Sequence, residues 1–91
     1  MKAELICYEL EGISSTDRRM LHKKLYGYKD QSHKGKYTYN RPGLLQEVEG
    51  KKIIDAVLLV KSKKEAEKII NLLHKYEAKT YIFDVLSEIE L

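Results

Sequence analysis

Twice in this chain an apolar run of eight residues leads, within a few residues, into a Ser-x-x-acid pattern. AELICYEL (Ala3–Leu10) precedes SSTD (Ser14–Asp17), and IIDAVLLV (Ile53–Val60) precedes SKKE (Ser62–Glu65). In strand form the first run sends Ala3, Leu5 and Cys7 to one face and Ile6, Tyr8 and Leu10 to the other, so it suits a strand buried on both faces. The second, β-branched and nearly continuous, reads the same way. Each Ser-x-x-acid pattern is a capping box, whose hydroxyl and carboxylate satisfy the free N–H groups of a helix start. Strand followed by helix, repeated once, is therefore the frame.

The first helix is expected over Ser15–Tyr26, stopped by Gly27, with Leu21, Leu25, Tyr28 and Met20 facing the core. The second carries Ala66, Ile69, Ile70, Leu73 and Tyr76 as its inward stripe. KYTYN (Lys36–Asn40) alternates as a strand does, after a basic loop that begins at Lys29, and YIFDVL (Tyr81–Leu86) is the last strand. Arg41-Pro42-Gly43-Leu44 suits a type II turn, with glycine taking the positive φ. LLQEV (Leu44–Val48) fits either one helical turn or an extended return. The order is β-α-β-β-α-β, an α+β two-layer sandwich of the ferredoxin-like kind, with two helices on one face of an antiparallel sheet and the first and third strands central.

At 91 residues and 43% hydrophobic composition, one domain spanning 1–91 is expected. No apolar run is long enough to span a bilayer and no secretory signal pattern opens the chain, so the expected location is the cytoplasm. The lone Cys7 cannot form an internal disulfide and reads as a small buried hydrophobe. The weight of Lys and Glu over Asn and Gln leans toward a heat-tolerant source.

Charge is uneven. Residues 17–41 carry eight Lys or Arg against Asp17 and Asp30, a balance of +6, while the flanks are slightly acidic. The same block overlaps YGYKDQSHKGKYTYNRPG (Tyr26–Gly43), with four of the seven tyrosines. Cations neutralise phosphates and aromatic rings offer stacking platforms for bases. Arg18, Arg19, Lys23, Lys29, Lys34, Lys36 and Arg41, with Tyr37 and Tyr39 about 7 Å apart on one strand face, are accordingly the candidate nucleic-acid contacts. Set against this, Tyr-x-Tyr on a strand is commonly core-facing, and a basic helix face is commonly just solvated. The direction of the two rings discriminates. A protein-interaction module anchored by the tyrosines is the alternative, since Tyr and Arg concentrate at interface hot spots.

His22, His33 and His74 stand in no metal-ligand spacing, and no P-loop, dinucleotide or GxSxG pattern exists, so no metal and no cofactor is expected. Glu9 and Glu11, flanking the end of the first strand, are the only catalytic candidates. KGKYTY (Lys34–Tyr39) is faintly similar to the basic and aromatic signature of the RNA-recognition motif, but the third strand, where that signature belongs, reads AVLLV.

In length, in element order, and in an acid after Tyr8 followed by a basic helix with Arg18 and Arg19, the chain resembles the Cas2 family of small ferredoxin-like CRISPR nucleases. That resemblance implies a dimer that binds nucleic acid and, with Glu9 where the family has aspartate, a third possibility of metal-dependent cleavage. A homodimer is also expected from the sheet face opposite the helices, where the central strands would leave Ile, Leu and Val uncovered.

Overall fold

The structure is a computed structural model and describes residues 1–31, 35 and 37–91. Along the chain lie β1 (Lys2–Glu9), α1 (Ser15–Tyr26), β2 (Tyr28–Gln31), β3 (Thr38–Arg41), the single turn α2 (Leu44–Glu47), β4 (Gly50–Ile54), β5 (Val57–Val60), α3 (Lys63–Lys75) and β6 (Lys79–Leu86). Four strands form an antiparallel sheet in the order β4-β5-β1-β6, and β2 pairs with β3 in a separate two-stranded ribbon. The chain is thus α+β. Antiparallel pairing of β1 with both neighbours makes β5 and β6 parallel to each other, with α3 crossing between them. β1 and β4 are likewise parallel, on either side of β5.

Both expected helix starts form. The Ser14 hydroxyl accepts from the Asp17 N–H at 3.2 Å, and the Ser62 hydroxyl accepts from the Glu65 N–H at 3.4 Å. Glu65 departs from the simple box: its carboxylate takes the Ser62 hydroxyl at 3.1 Å and the Glu49 N–H at 3.4 Å, tying α3 to the approach to β4. Leu21 and Leu25 of α1 and Ala66, Ile69 and Leu73 of α3 meet Ile6, Tyr8, Leu58 and Val60 of the sheet in one core. Each large aliphatic group so buried contributes about 1.5–3 kcal/mol over exposure. Met20, expected against this core, is 45% exposed instead. It sits one position off the Leu21–Leu25 stripe.

Three expectations need correction. KYTYN is not the second strand of the main sheet: that place belongs to β4, and the tyrosine segment pairs with Tyr28–Gln31 outside it. Tyr28 therefore lies on a strand, 43% exposed, and the loop expected from Lys29 begins as β2. IIDAVLLV is not one strand but the end of β4, a turn at Asp55-Ala56 and β5. A carboxylate cannot sit in a central strand without a partner, and here Asp55 reaches solvent at the turn while Ala56 takes a left-handed φ of 63°. Nor does Gly43 supply a positive φ; its φ is −95°. Glycine is required there because a Cβ would lie 2.5 Å from the Leu25 carbonyl oxygen. Leu44–Glu47 resolves as one helical turn, with the Gly43 N–H donating to the Gln46 side chain at 2.6 Å.

Candidate nucleic-acid interface

α1 ends at Gly27, whose φ of 80° turns the chain directly into β2. The β2–β3 ribbon is then pinned against the helix end by the Gly27–Gly43 backbone contact. Cross-strand pairing sets Tyr28 opposite Arg41 and Asp30 opposite Tyr39, so these four share one face of the ribbon. On it the Arg41 Nε lies 3.4 Å from the Asp30 carboxylate, and its guanidinium sits 5.6 Å from the Tyr39 ring centre. Lys23 of α1 places its ammonium 4.9 Å from the Tyr28 ring centre. Tyr39 is 50% exposed and Tyr37, two residues before it, 58% exposed. Neither ring is packed beneath a helix.

The sequence candidates separate by what holds them. Arg18 is committed to the backbone: its guanidinium donates to the Ile13 carbonyl at 2.9 Å and the Leu10 carbonyl at 2.7 Å, bracing the loop before α1. Arg19, Lys23, Lys29 and Arg41 present their charges along α1 and the ribbon. Lys34 and Lys36, with His33, lie outside the described residues. A hollow of about 610 Å³ lined by Lys23, Lys24, Tyr28 and Arg41 runs along the ribbon base.

A larger groove, about 790 Å³, opens between α1 and the β4–β5 turn. Its floor is a pair of tyrosines: the Tyr8 and Tyr26 hydroxyls lie 2.7 Å apart. Burial raises the Tyr8 pKa, and burial together with the Tyr8 hydroxyl raises that of Tyr26, so both stay protonated. Lys52 bonds Asp55 at 2.7 Å and stands 5.2 Å from the Tyr26 ring centre. Each holds the other's charge: the hydrogen bond to Asp55 raises the Lys52 pKa, and that to Lys52 lowers the Asp55 pKa. Arg19, His22 and Lys23 complete the walls, His22 tilted at 50° against Tyr26. Of these, only Arg19 and Lys23 are among the contacts that the sequence points to. The missed signal is Asp55 itself, an acid interrupting an apolar run.

Glu9 and Glu11 lie at the far end of β1, around a small hollow shared with Glu77 and Lys79. The Tyr81 hydroxyl donates to Glu9 at 3.3 Å. Among the described residues no group of three or more His, Cys, Asp or Glu side chains is arranged to hold a metal ion. His74 faces Thr80 at 2.9 Å. Cys7, expected as a small buried hydrophobe, is half-buried on the sheet face away from the helices.

Protein-family models, curated proteins and solved structures were all compared with this chain. None matches. Among the described residues no helix is long and apolar enough to cross a membrane.

Proposed function

We propose that this chain binds nucleic acid along α1 and the β2–β3 ribbon. The observation that carries the reading is the exposure of Tyr39, in the same ribbon as Arg41 and Lys29, and of Tyr37 just before that strand, next to Arg19 and Lys23 of α1. Rings on a rim of cations provide stacking and phosphate neutralisation together. The strand order β4-β5-β1-β6 with its two crossovers supports a ferredoxin-like domain into which the ribbon and α2 are inserted. The test is binding to single-stranded and duplex DNA and RNA at several salt concentrations. Affinity falls steeply with salt, and Tyr37→Ala with Tyr39→Ala weakens single-strand binding while the fold persists. Salt-independent binding, or none, removes the reading.

A second reading, association with protein and first of all with another copy of this chain, is favoured by the sheet face away from the helices. Phe83 at 53% exposed and Ile54 at 64% exposed lie in the strands flanking that face, near Leu5 and Tyr81. Sedimentation of the wild type and of Phe83→Glu measures it; a wild-type monomer at high micromolar concentration removes it.

A further inference from the structure

The groove floored by the tyrosine pair has features that the ribbon reading does not use. Two hydroxyls bonded to each other spend one of their two protons. Tyr8 is buried, at 5% exposed, and Tyr26 is partly covered; either hydroxyl can donate within the pair, so the pair as a whole keeps one O–H for the groove that both line. Around it stand Arg19, Lys23 and Lys52. The Lys52 charge is answered by Asp55 at 2.7 Å, whereas among the described residues Arg19 has no ion pair or hydrogen bond and the Lys23 ammonium has no ion pair, lying against the Tyr28 ring. The contrast with the neighbouring Arg18, fully committed to carbonyl oxygens, is direct. Two unanswered cations and a neutral O–H donor converge on one cavity.

We propose that this groove is a phosphate-monoester site, holding a terminal phosphate between Arg19, Lys23 and Lys52 with the tyrosine pair donating a hydrogen bond. A monoester carries close to two negative charges at neutral pH, matching the two uncompensated cations, and offers several strong acceptor oxygens. An internal phosphodiester carries one charge and leaves one cation unanswered. Asp55, which would repel the ligand, is already held by Lys52. Two sources present this chemistry, a free mononucleotide and the phosphorylated end of a nucleic-acid strand. The site stands whether or not the ribbon holds a strand.

The experiment is titration of the full chain with adenosine 5′-monophosphate, with adenosine as control, following backbone amide resonances. Saturable shifts at Gly27 and Ala56, on the groove rim, are expected with the monophosphate and not with adenosine. Arg19→Ala and Lys52→Ala, both at exposed positions, weaken binding by about tenfold or more. The Tyr37→Ala, Tyr39→Ala pair leaves it unchanged, which separates this site from the ribbon. Absence of saturation, an equal response to adenosine, indifference to Arg19→Ala, or loss in the tyrosine pair would each overturn the proposal. Oligonucleotides with and without a terminal phosphate then distinguish the sources. Tighter binding of the phosphorylated strand assigns the site to strand ends, and equal binding assigns it to mononucleotides.

Discussion

The backbones of Gly27 and Gly43 are in contact: a Cβ on Gly27 would lie 2.7 Å from the Gly43 nitrogen, with no side chain between them to give way. This clasp joins the end of α1 to the start of α2 and holds the base of the β2–β3 ribbon. Gly43→Ala is expected to destabilise the fold by about 2–3 kcal/mol, because backbone must move to admit the methyl group. Denaturant unfolding checks this. Gly12→Ala is the contrasting case, since no atom lies within 4 Å of the added Cβ there and only the positive φ of 80° opposes it; it is expected to cost about 1–2 kcal/mol.

Tyr8 and Tyr26 make a second, asymmetric prediction. Removing one hydroxyl leaves the other without its partner in a partly buried site, whereas removing both leaves nothing unsatisfied. Tyr26→Phe is expected to cost about 1–2 kcal/mol, and the Tyr8→Phe, Tyr26→Phe double variant less than the sum of the two singles. A double-mutant cycle by thermal or chemical unfolding measures the difference; strict additivity would contradict the pairing.

α3 ends in a motif that ordinarily uses glycine. The Ala78 N–H donates to the Leu73 carbonyl at 3.0 Å and the Glu77 N–H to the His74 carbonyl at 2.9 Å, which places Glu77 at a left-handed φ of 61°. Glu77→Gly is expected to stabilise by about 0.5–1 kcal/mol, a rise in Tm of several degrees. It also removes one carboxylate from the hollow shared with Glu9 and Glu11.

Glu4 and Asp84 are cross-strand partners on β1 and β6, and Glu4 is only 7% exposed. A hydrogen bond with Asp84, burial, and the Asp84 charge all raise the Glu4 pKa, and Lys63 offsets them in part. A carboxyl whose folded pKa lies above its unfolded value stabilises most when protonated. Its contribution is complete below the unfolded pKa and lost as pH rises through the folded one. Glu4→Gln keeps a donor toward Asp84 without the charge. It is expected to raise Tm at neutral pH, the advantage shrinking as pH falls toward about 4. Melting curves across that range for both proteins decide it; a constant difference would contradict the account.

The readable parts of the fold were those whose causes are local. Ser14 and Ser62 announce their helices because capping depends on residues three apart, and Leu21, Leu25, Ile69 and Leu73 announce the core because helical spacing puts them on one stripe. The tyrosine segment failed as a sheet strand for a reason outside itself. Its partner is set by the Gly27–Gly43 clasp, a contact across sixteen positions that leaves no periodicity in the sequence. The groove escaped notice on similar grounds: Tyr8, Arg19, Tyr26 and Lys52 come from three distant segments, and each alone reads as ordinary surface or core.

Because Gly27 and Gly43 touch, the path into the ribbon and the path out of it begin at one point on the scaffold. Chain inserted between neighbouring points adds little closure cost as it lengthens. The segment between the two glycines is thus a cassette: a different hairpin, longer or with other rings and charges, could be exchanged there while the four-stranded sheet and its two long helices stay in place. What such a chain recognises could change faster than what holds it together.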